Sequence, residues 1–453
     1  MYKIILAIRY LLKRRISYFA VFAVALCVFV VFVVITVLSG LSAEFKANTH
    51  LSAGDCIVSS KSLVGFGYYQ EFIDKLMRTD FVEATSPVIR SYAFVEATYE
   101  SSETPEFSYT LGILGIDSAA HSRVTAFGEW LGFNKADAGN SFKPSYDPNL
   151  PGCVLGVGVL FGRDSEGNYI VPEEVPKYRV DVRCFPLTAK GALAKAGTGI
   201  VNTKTFYFSD CAESKIRADW SGLYLPFDEA QMLCGMGMEP KRVNAIHIKF
   251  KDGVGLDACC DKVEQLWDEF AEEKVGVSGA NLLENVRVQN WKMYNRHIIA
   301  AVETERIVMM IVFGMIGIIT VFIVLVVFYM IVSHKSKDIG ILKSLGASNA
   351  NVLSLFLGFA SLIGVLGSLI GAVGGWQFLV HINHIEDWLF RRFGFQLWDR
   401  TIYAIGDIPN KIELNVLVPI VLCAVAACLI GAFIPSRQAA KYEPVETLQV
   451  AQL

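Results

Sequence analysis

The chain has 453 residues, 53% of them hydrophobic and 19% charged, with a mean hydropathy of +0.42 and a formal net charge of −3. That composition is too apolar for an ordinary soluble protein and too polar for one lying wholly in a bilayer, so a mixed architecture is required. The charge is also divided. Residues 41–306 carry 36 Asp+Glu against 27 Lys+Arg, while the short polar segments 1–15, 333–351 and 435–453 carry 10 Lys+Arg against 3 Asp+Glu. An acidic middle argues against nucleic acid as a partner. The positive-inside tendency puts the three basic segments, and with them both termini, in the cytoplasm.

Taken in order, residues 1–15 set Ile4, Ile5, Ala7 and Ile8 among Lys3, Arg9, Lys13, Arg14 and Arg15, the pattern of a short amphipathic helix lying in the membrane interface. Residues 16–38 are uncharged over 23 positions, enough to span a membrane. A signal peptide is the competing reading, with Lys13-Arg14-Arg15 as its basic start and Ser39-Gly40-Leu41-Ser42-Ala43 as a cleavage site. Its apolar region would be longer than the roughly 7–15 residues usual there, which favours the span.

Residues 41–306 are long enough for one large domain or two subdomains with cores of their own. Strands are predicted at 56–58, 88–95 and 245–250. Helices are predicted at 69–77 and 256–270, the latter with Leu256, Cys259, Val263, Leu266, Trp267 and Phe270 on one face. Together they suit an α+β layer with helices covering one side of a sheet. Between these flanks residues 128–199 read as loop-rich, broken by Pro144, Pro148, Pro151, Pro172, Pro176 and Pro186. Gly152, Gly156 and Gly158 do not make the dinucleotide pattern G-x-G-x-x-G, so packing explains them better. Leu223-Tyr224-Leu225-Pro226 reads as a strand turning into a helix at 228–233. Seven of the ten cysteines fall in this middle region, at 56, 153, 184, 211, 234, 259 and 260, with no C-x-x-C. An odd number cannot all pair internally, so buried thiols with one or two disulfides are expected, their connectivity open. Residues 288–306 have helical spacing and should prolong the next span as a stalk, making Trp291 to Val332 roughly 60 Å long.

Residues 307–332 are a second uncharged run of 26 residues. The polar island 333–351 follows, with Ile339, Leu342 and Leu345 at helical spacing beside Lys337, Asp338 and Lys343, which predicts a short amphipathic helix at the membrane surface. In the third apolar run, 352–380, Gly367-x3-Gly371-x3-Gly375 makes a flat stripe for close helix approach. Residues 381–414 read as an outer loop, in which Trp388, Phe393, Phe395, Trp398 and Tyr403 suit the membrane–water interface. His381, His384 and Glu386 are better read there as polar surface than as metal ligands. A fourth span covers 415–433, with Pro419 near its outer end, and residues 435–453 form the tail. The predicted fold class is therefore a membrane protein of four transmembrane α-helices, with a large α+β extracytoplasmic domain between helices 1 and 2.

The chain has no G-x-x-x-x-G-K-[ST] loop to cradle ATP phosphates, no H-E-x-x-H helix and no carboxylate pair inside a span. It is expected to be no enzyme and to hold no cofactor of its own; ATP would be used by a partner subunit.

The segment Lys337-Asp338-Ile339-Gly340-Ile341-Leu342-Lys343-Ser344-Leu345-Gly346-Ala347-Ser348, between two spans, resembles the cytoplasmic coupling helix of MacB/FtsX-type ABC permeases. MacB-like members usually have Arg-Glu where this chain has Lys337-Asp338, which keeps both charges but loses the bidentate reach of Arg. The order Asn383–Glu386, Phe393-Gly394, Tyr403 and Ile408-Pro409 resembles the outer loop of lipoprotein-releasing permeases of the LolC/LolE type. So do Leu223–Asp252, and Trp291 followed by Glu305-Arg306. The tail Pro435-Ser436-Arg437 through Pro444-Val445-Glu446-Thr447-Leu448 is similar to the family's closing motif. The resemblance implies a permease in the inner membrane that works with a separate ABC ATPase subunit and a second permease copy or paralogue. It further implies a periplasmic lipoprotein chaperone and membrane lipid as partners, and Lys337, Asp338, Ile339, Leu342, Lys343 and Leu345 as the ATPase-coupling residues. Lipoprotein release is the implied work. A MacB-like export permease and an FtsX-like regulator of a cell-wall hydrolase are the alternatives.

Overall fold

A computed structural model of the chain describes residues 15–102, 104–162, 169–193, 201–214, 222–277, 280–394, 408–411 and 413–441. The interfacial helix expected before residue 15, the loop positions Phe395, Trp398 and Tyr403, and the tail from Tyr442 lie outside the described residues. In chain order the elements are α1 (Arg15–Ala53), β1 (Cys56–Ser60), β2 (Phe66–Gly67), α2 (Tyr69–Met77), β3 (Val82–Tyr99), β4 (Phe107–Ile116), α3 (Ser118–Val124) and α4 (Phe127–Trp130). Then come β5 (Gly152–Gly156), α5 (Val157–Leu160), β6 (Tyr178–Cys184), β7 (Asn202–Ala212), β8 (Gly222–Pro226), α6 (Phe227–Leu233), β9 (Arg242–Val243), β10 (Ala245–Phe250) and α7 (Leu256–Glu273). The series closes with β11 (Val286–Asn290), α8 (Trp291–Tyr294), α9 (Arg296–His334), α10 (Ser336–Ser344), α11 (Asn349–Phe393) and α12 (Leu414–Lys441). These residues divide into two compact units: one gathers those through Ala43 with those from Ala300 onward, and the other holds Glu44–Ile299.

In the first unit α1, α9, α11 and α12 are each long and apolar enough to cross a membrane. They outrun the uncharged stretches that announced them. The first continues to Ala53, and α11 runs to Phe393, so residues 381–393 are helical where the sequence suggested a loop. The loss of hydrophobicity marks where lipid would end; the helix stops only at Gly394, which takes a left-handed φ of 65°. A second correction concerns the stalk. The helix expected over 288–306 starts later and is interrupted: residues 288–290 end β11, α8 closes at Tyr294, and α9 starts at Arg296. Asn295 makes the joint, its side-chain amide donating to Trp291 O at 3.1 Å while its carbonyl accepts from Ile298 and Ile299. At 1.5 Å per residue α9 alone is about 58 Å long.

The second unit is built on a nine-stranded sheet in the order β11-β1-β10-β3-β4-β8-β5-β7-β6. Strand β3 has 18 residues because it serves two partners in succession. Its first half pairs with β10 and its second half, Ala93–Tyr99, with β6, while β4 lies along its other edge. The β3–β6 pairing closes β3-β4-β8-β5-β7-β6 into a ring, leaving β11-β1-β10 as an open flank. Residues 128–199, expected to be mostly loop, contribute β5 and β6 to that ring. Their strands are short and separated by proline-rich connections, which hid them. The helix α7 buries Cys259, Val263, Trp267 and Phe270 of the face its spacing marked out, together with Cys260, while Leu256 and Leu266 are half-buried. The Gly152–Leu160 stretch is a buried strand running into a single helical turn; Gly152 and Gly156 are buried, as packing requires, while Gly158 is exposed.

Candidate functional site

The polar island between α9 and α11 folds as α10, nine residues long. Asp338 sits in its first turn, where a carboxylate complements the positive end of the helix, and pairs with Lys335. At the other end Gly346 adopts φ 91°, allowing its N–H to reach Lys343 O and the Ala347 N–H to reach Leu342 O, both at 3.0 Å. Any residue with a Cβ would strain that turn. Ser348 then caps α11, its Oγ accepting from Asn351 N at 3.3 Å.

Three apolar residues were expected on one face of α10, and they separate. Ile339 is 1% exposed and belongs to a buried cluster with Ile331, Val332, Val352, Phe356, Ala439 and Ala440. Leu342 is half-buried, as are Asp338 and Lys343. Leu345 lies just past the last helical residue and is 79% exposed, and Ile341 is 50% exposed. Lys337 is exposed as well. The surface that α10 presents is therefore Lys337, Ile341 and Leu345, while Ile339 pins the helix to the bundle. The sequence reading missed Ile341, because counting 339, 342, 345 follows a three-residue step that drifts around an α-helix of 3.6 residues per turn.

The glycine stripe of α11 lies against α1. A Cβ on Gly367 would stand 2.8 Å from Val24 Cβ, one on Gly371 2.4 Å from Ala25 O, and one on Gly375 2.7 Å from Phe32 Cδ1. Two glycines outside the stripe do the same for other pairs of helices. Gly364 meets Val425 and Cys428 of α12, and Gly431 of α12 meets Val321 O and Val324 of α9. Gly364 lies in a second small-residue stripe, Ala360-x3-Gly364-x3-Ser368-x3-Ala372, that glycine spacing alone does not show. Phe328 of α9 and Phe359 of α11 complete the contact, with ring centroids 5.6 Å apart.

Asn383 and Ile408-Pro409, 25 positions apart in sequence, are brought together. The Asn383 carboxamide accepts from Ile408 N at 2.9 Å and donates to Ile408 O at 3.4 Å, and Asn410 Nδ2 donates to Leu379 O. Pro409 occupies the space a Cβ on Gly40 would need. This clasp holds the approach to α12 against α11 and α1. His381 and His384, on the same stretch of α11, have ring centroids 6.5 Å apart, and no group of His, Cys, Asp or Glu among the described residues is arranged to hold a metal.

In the second unit the chemistry is structural. Arg242 is buried, and its guanidinium donates to the carbonyls of Val64, Leu187 and Gly235 at 2.7–2.8 Å. Burial pushes its pKa down. Asp210 accepts from the backbone N–H groups of Gly132, Phe133, Asn134 and Cys211, yet burial outweighs them and raises its pKa. Asp55 goes the other way. Burial opposes its charge, but His50 at 2.7 Å and the Phe250 N–H prevail and lower its pKa. His50 in turn stacks on Trp291 with centroids 4.8 Å apart, tying the end of α1 to the start of α8. The cavity lined by Asp257, Asp261, Glu264 and Asp268 of α7 and by β11 holds about 430 Å³.

Comparison with known proteins agrees with the membrane part of this description. Residues 310–444 match the FtsX-like permease C-terminal family. The lipoprotein-releasing system transmembrane protein LolC of Xylella fastidiosa is 29% identical over 199 residues, 44% of this chain and 47% of that protein. The corresponding LolE of Haemophilus influenzae is 23% identical over 231 residues, 51% of each chain. The macrolide export ATP-binding/permease protein MacB of Azoarcus sp. is 31% identical over 120 residues, 26% of this chain and 15% of that protein. The chain spans about half the length of the lipoprotein-releasing relatives it matches. The resemblance read from the sequence therefore stands: the chain is similar to MacB/FtsX-like permeases and lies near the LolC/LolE type.

Proposed function

We propose that this chain is the permease subunit of an ABC-type transporter in the inner membrane, with both termini in the cytoplasm, and that its work is the release of lipoproteins from that membrane. It has no nucleotide loop of its own, so motion would come from a separate ATPase subunit docked on Lys337, Ile341 and Leu345. The observation that carries this reading is the split of α10. A surface helix whose inner side chain, Ile339, is buried among the ends of α9, α11 and α12 moves the bundle when its outer side is pushed. The glycine-lined contact of α11 with α1 would pass that displacement on as a rigid pair.

The similarity to LolC and LolE favours lipoproteins as the cargo. A second permease copy or paralogue would cover part of the apolar surface of α9, where Ile307, Ile311, Met315, Ile319 and Phe322 are all exposed, and acyl chains of membrane lipid or cargo the remainder. A soluble lipoprotein chaperone would then receive the cargo from the outer unit. The match to MacB supports a second reading, export of another class of substrate.

The two readings separate on what crosslinks to a photoreactive residue placed at exposed positions of the outer unit in living cells. Acylated proteins and a lipid-binding carrier are expected; efflux components without acylated proteins would overturn lipoprotein release in favour of export. Docking has its own test. The double variant Ile341→Glu, Leu345→Glu should lose at least tenfold in co-purified ATPase subunit while inserting normally, and undiminished co-purification would remove the coupling role from this surface.

A further inference from the structure

Four of the seven cysteines in the outer unit face another cysteine, Cys56 with Cys260 and Cys184 with Cys234. Cys184 Sγ, at the end of β6, is 3.8 Å from Cys234 Sγ, at the C-terminal cap of α6, and both side chains are buried. We propose that Cys184 and Cys234 are joined by a disulfide in the mature protein, stapling β6 to the end of α6 across 50 positions of sequence.

Their approach is fixed by the backbone around them. Leu187 N donates to Cys234 O at 3.2 Å, and Asn202 Nδ2 donates to Leu233 O at 2.9 Å. The Arg242 guanidinium bridges Leu187 O and Gly235 O, one residue beyond Cys234. Gly235 takes φ 75°, and a Cβ there would collide with Pro186 at 2.8 Å, so the turn after Cys234 is moulded onto the chain after Cys184. Bond formation shortens the sulfur separation from 3.8 Å to about 2.05 Å.

In the folded unit the Cys234 thiol, against burial and helped by the Ser91 hydroxyl at 3.6 Å, brings the Cys184 thiol down to about 7, and Cys234 is shifted up in return. Before β6 closes on α6 either thiol can attack first; from Cys184, the thiolate opens the disulfide of an oxidised dithiol–disulfide oxidoreductase, forming a mixed disulfide and releasing one oxidoreductase thiolate. Cys234 gives up its proton to solvent and displaces the second oxidoreductase sulfur. Two protein thiols lose two electrons and two protons, and the oxidant's disulfide becomes a dithiol. Because both sulfurs are buried in the folded unit, the exchange precedes the closing of β6 on α6. At Cys153 and Cys211, by contrast, burial is the leading cause that raises the thiols, Cys211 to about 12.

The proposal rests on the outer unit facing an oxidising compartment, which is part of the function proposed above. The full chain in its membrane is treated with N-ethylmaleimide, unfolded in urea without reductant, treated again and digested. Mass spectrometry should find the Cys184 and Cys234 peptides linked, with neither sulfur alkylated unless reductant is added first. In parallel, Val275→Cys, at a site 77% exposed in the same unit, is exposed to a membrane-impermeant maleimide in spheroplasts. Alkylation of Cys184 and Cys234 without reductant, with Val275→Cys labelled from outside, overturns the disulfide and leaves the sidedness intact. The same alkylation with Val275→Cys labelled only after permeabilisation overturns the sidedness, and the disulfide with it.

Discussion

In the outer unit, Phe72, Trp267 and Phe270 meet ring to ring at centroid distances of 4.8–5.8 Å, and Phe66 stands against Trp267 at 5.2 Å. In the membrane unit the ring pairs are isolated, such as Phe29 with Phe378 and Phe328 with Phe359, and helices close on one another at Gly367, Gly371, Gly375 and Gly431. The outer unit has glycines as close, Gly115 and Gly152, but adds the aromatic cluster to them. The contrast follows from the solvent. Aromatic burial against water is a large driving force, while lipid tails are as apolar as any side chain, so helices in a bilayer gain by contact of backbone surfaces instead. Both units bury a charged side chain, Arg242 in the outer one and, in the membrane one, Glu386, which the sequence suggested to be polar surface; the guanidinium of Arg242 is a polar key that ties three carbonyls together.

The hardest test of this contrast is Arg242→Met. It keeps much of the side-chain volume but leaves the carbonyls of Val64, Leu187 and Gly235 without donors, at about 1–3 kcal/mol for each buried group. The outer unit should lose at least about 3 kcal/mol in all, read as a large drop in its unfolding midpoint in urea. A loss below about 1 kcal/mol would mean that water replaces the guanidinium and that the site is no key.

Acid should also strike the outer unit first. His121 and His247 are buried with ring centroids 5.7 Å apart, and His121 Nδ1 is 3.0 Å from Ser86 Oγ. Burial, aided by Arg90 and resisted by Asp117, brings His121 down to about 4, and burial with His121 and Arg90 lowers His247. The unfolded chain takes up a proton near pH 6.5 that the folded one refuses until about pH 4, so stability should fall as pH drops through that window, by about 3 kcal/mol for His121 alone. His121→Gln should flatten the acid limb. An acid limb unchanged in His121→Gln would show that other groups dominate it.

Glycine substitutions probe the other half of the comparison. Gly371→Ala would set a methyl 2.4 Å from Ala25 O, a backbone atom that cannot turn aside, and should cost about 1–3 kcal/mol of bundle stability. Gly374→Ala, on the next turn of the same helix, meets nothing nearer than Phe29 Cδ2 at 3.7 Å and should be neutral or slightly stabilising. Equal thermal shifts for the two variants in detergent would refute a specific α1–α11 contact.

These cases also mark what could be read from residues alone. The four helices were legible because a charge-free run of spanning length is costly to leave in water and suits little besides a bilayer, and the face of α7 because its apolar residues repeat with the helix. Helix ends were not, since Ala53 and Phe393 lie beyond the apolar boundary, and the mark they share is a left-handed glycine directly after each, Gly54 and Gly394. The ring of strands was hidden because β3 divides its length between β10 and β6, a long-range choice that local alternation does not encode. At α10 the residue types suggested a surface helix, but which apolar residue faces inward depends on where α9 and α11 stand.

That last point gives the smallest expected change in stability and the sharpest functional one. Ile341→Glu replaces a half-exposed side chain whose loss opens no cavity, so the folded chain should change by less than about 0.5 kcal/mol. Ile339→Ala removes buried methyl and methylene groups from the cluster with Val332, Val352 and Phe356 and should cost the bundle stability without touching the exposed surface. If α10 is a two-sided lever, the first variant loses the ATPase subunit at unchanged stability, whereas the second keeps it bound but turns over ATP without moving cargo. Two variants failing in the same way, both unbound or both uncoupled, would show that the inner and outer sides of α10 do not have separate tasks.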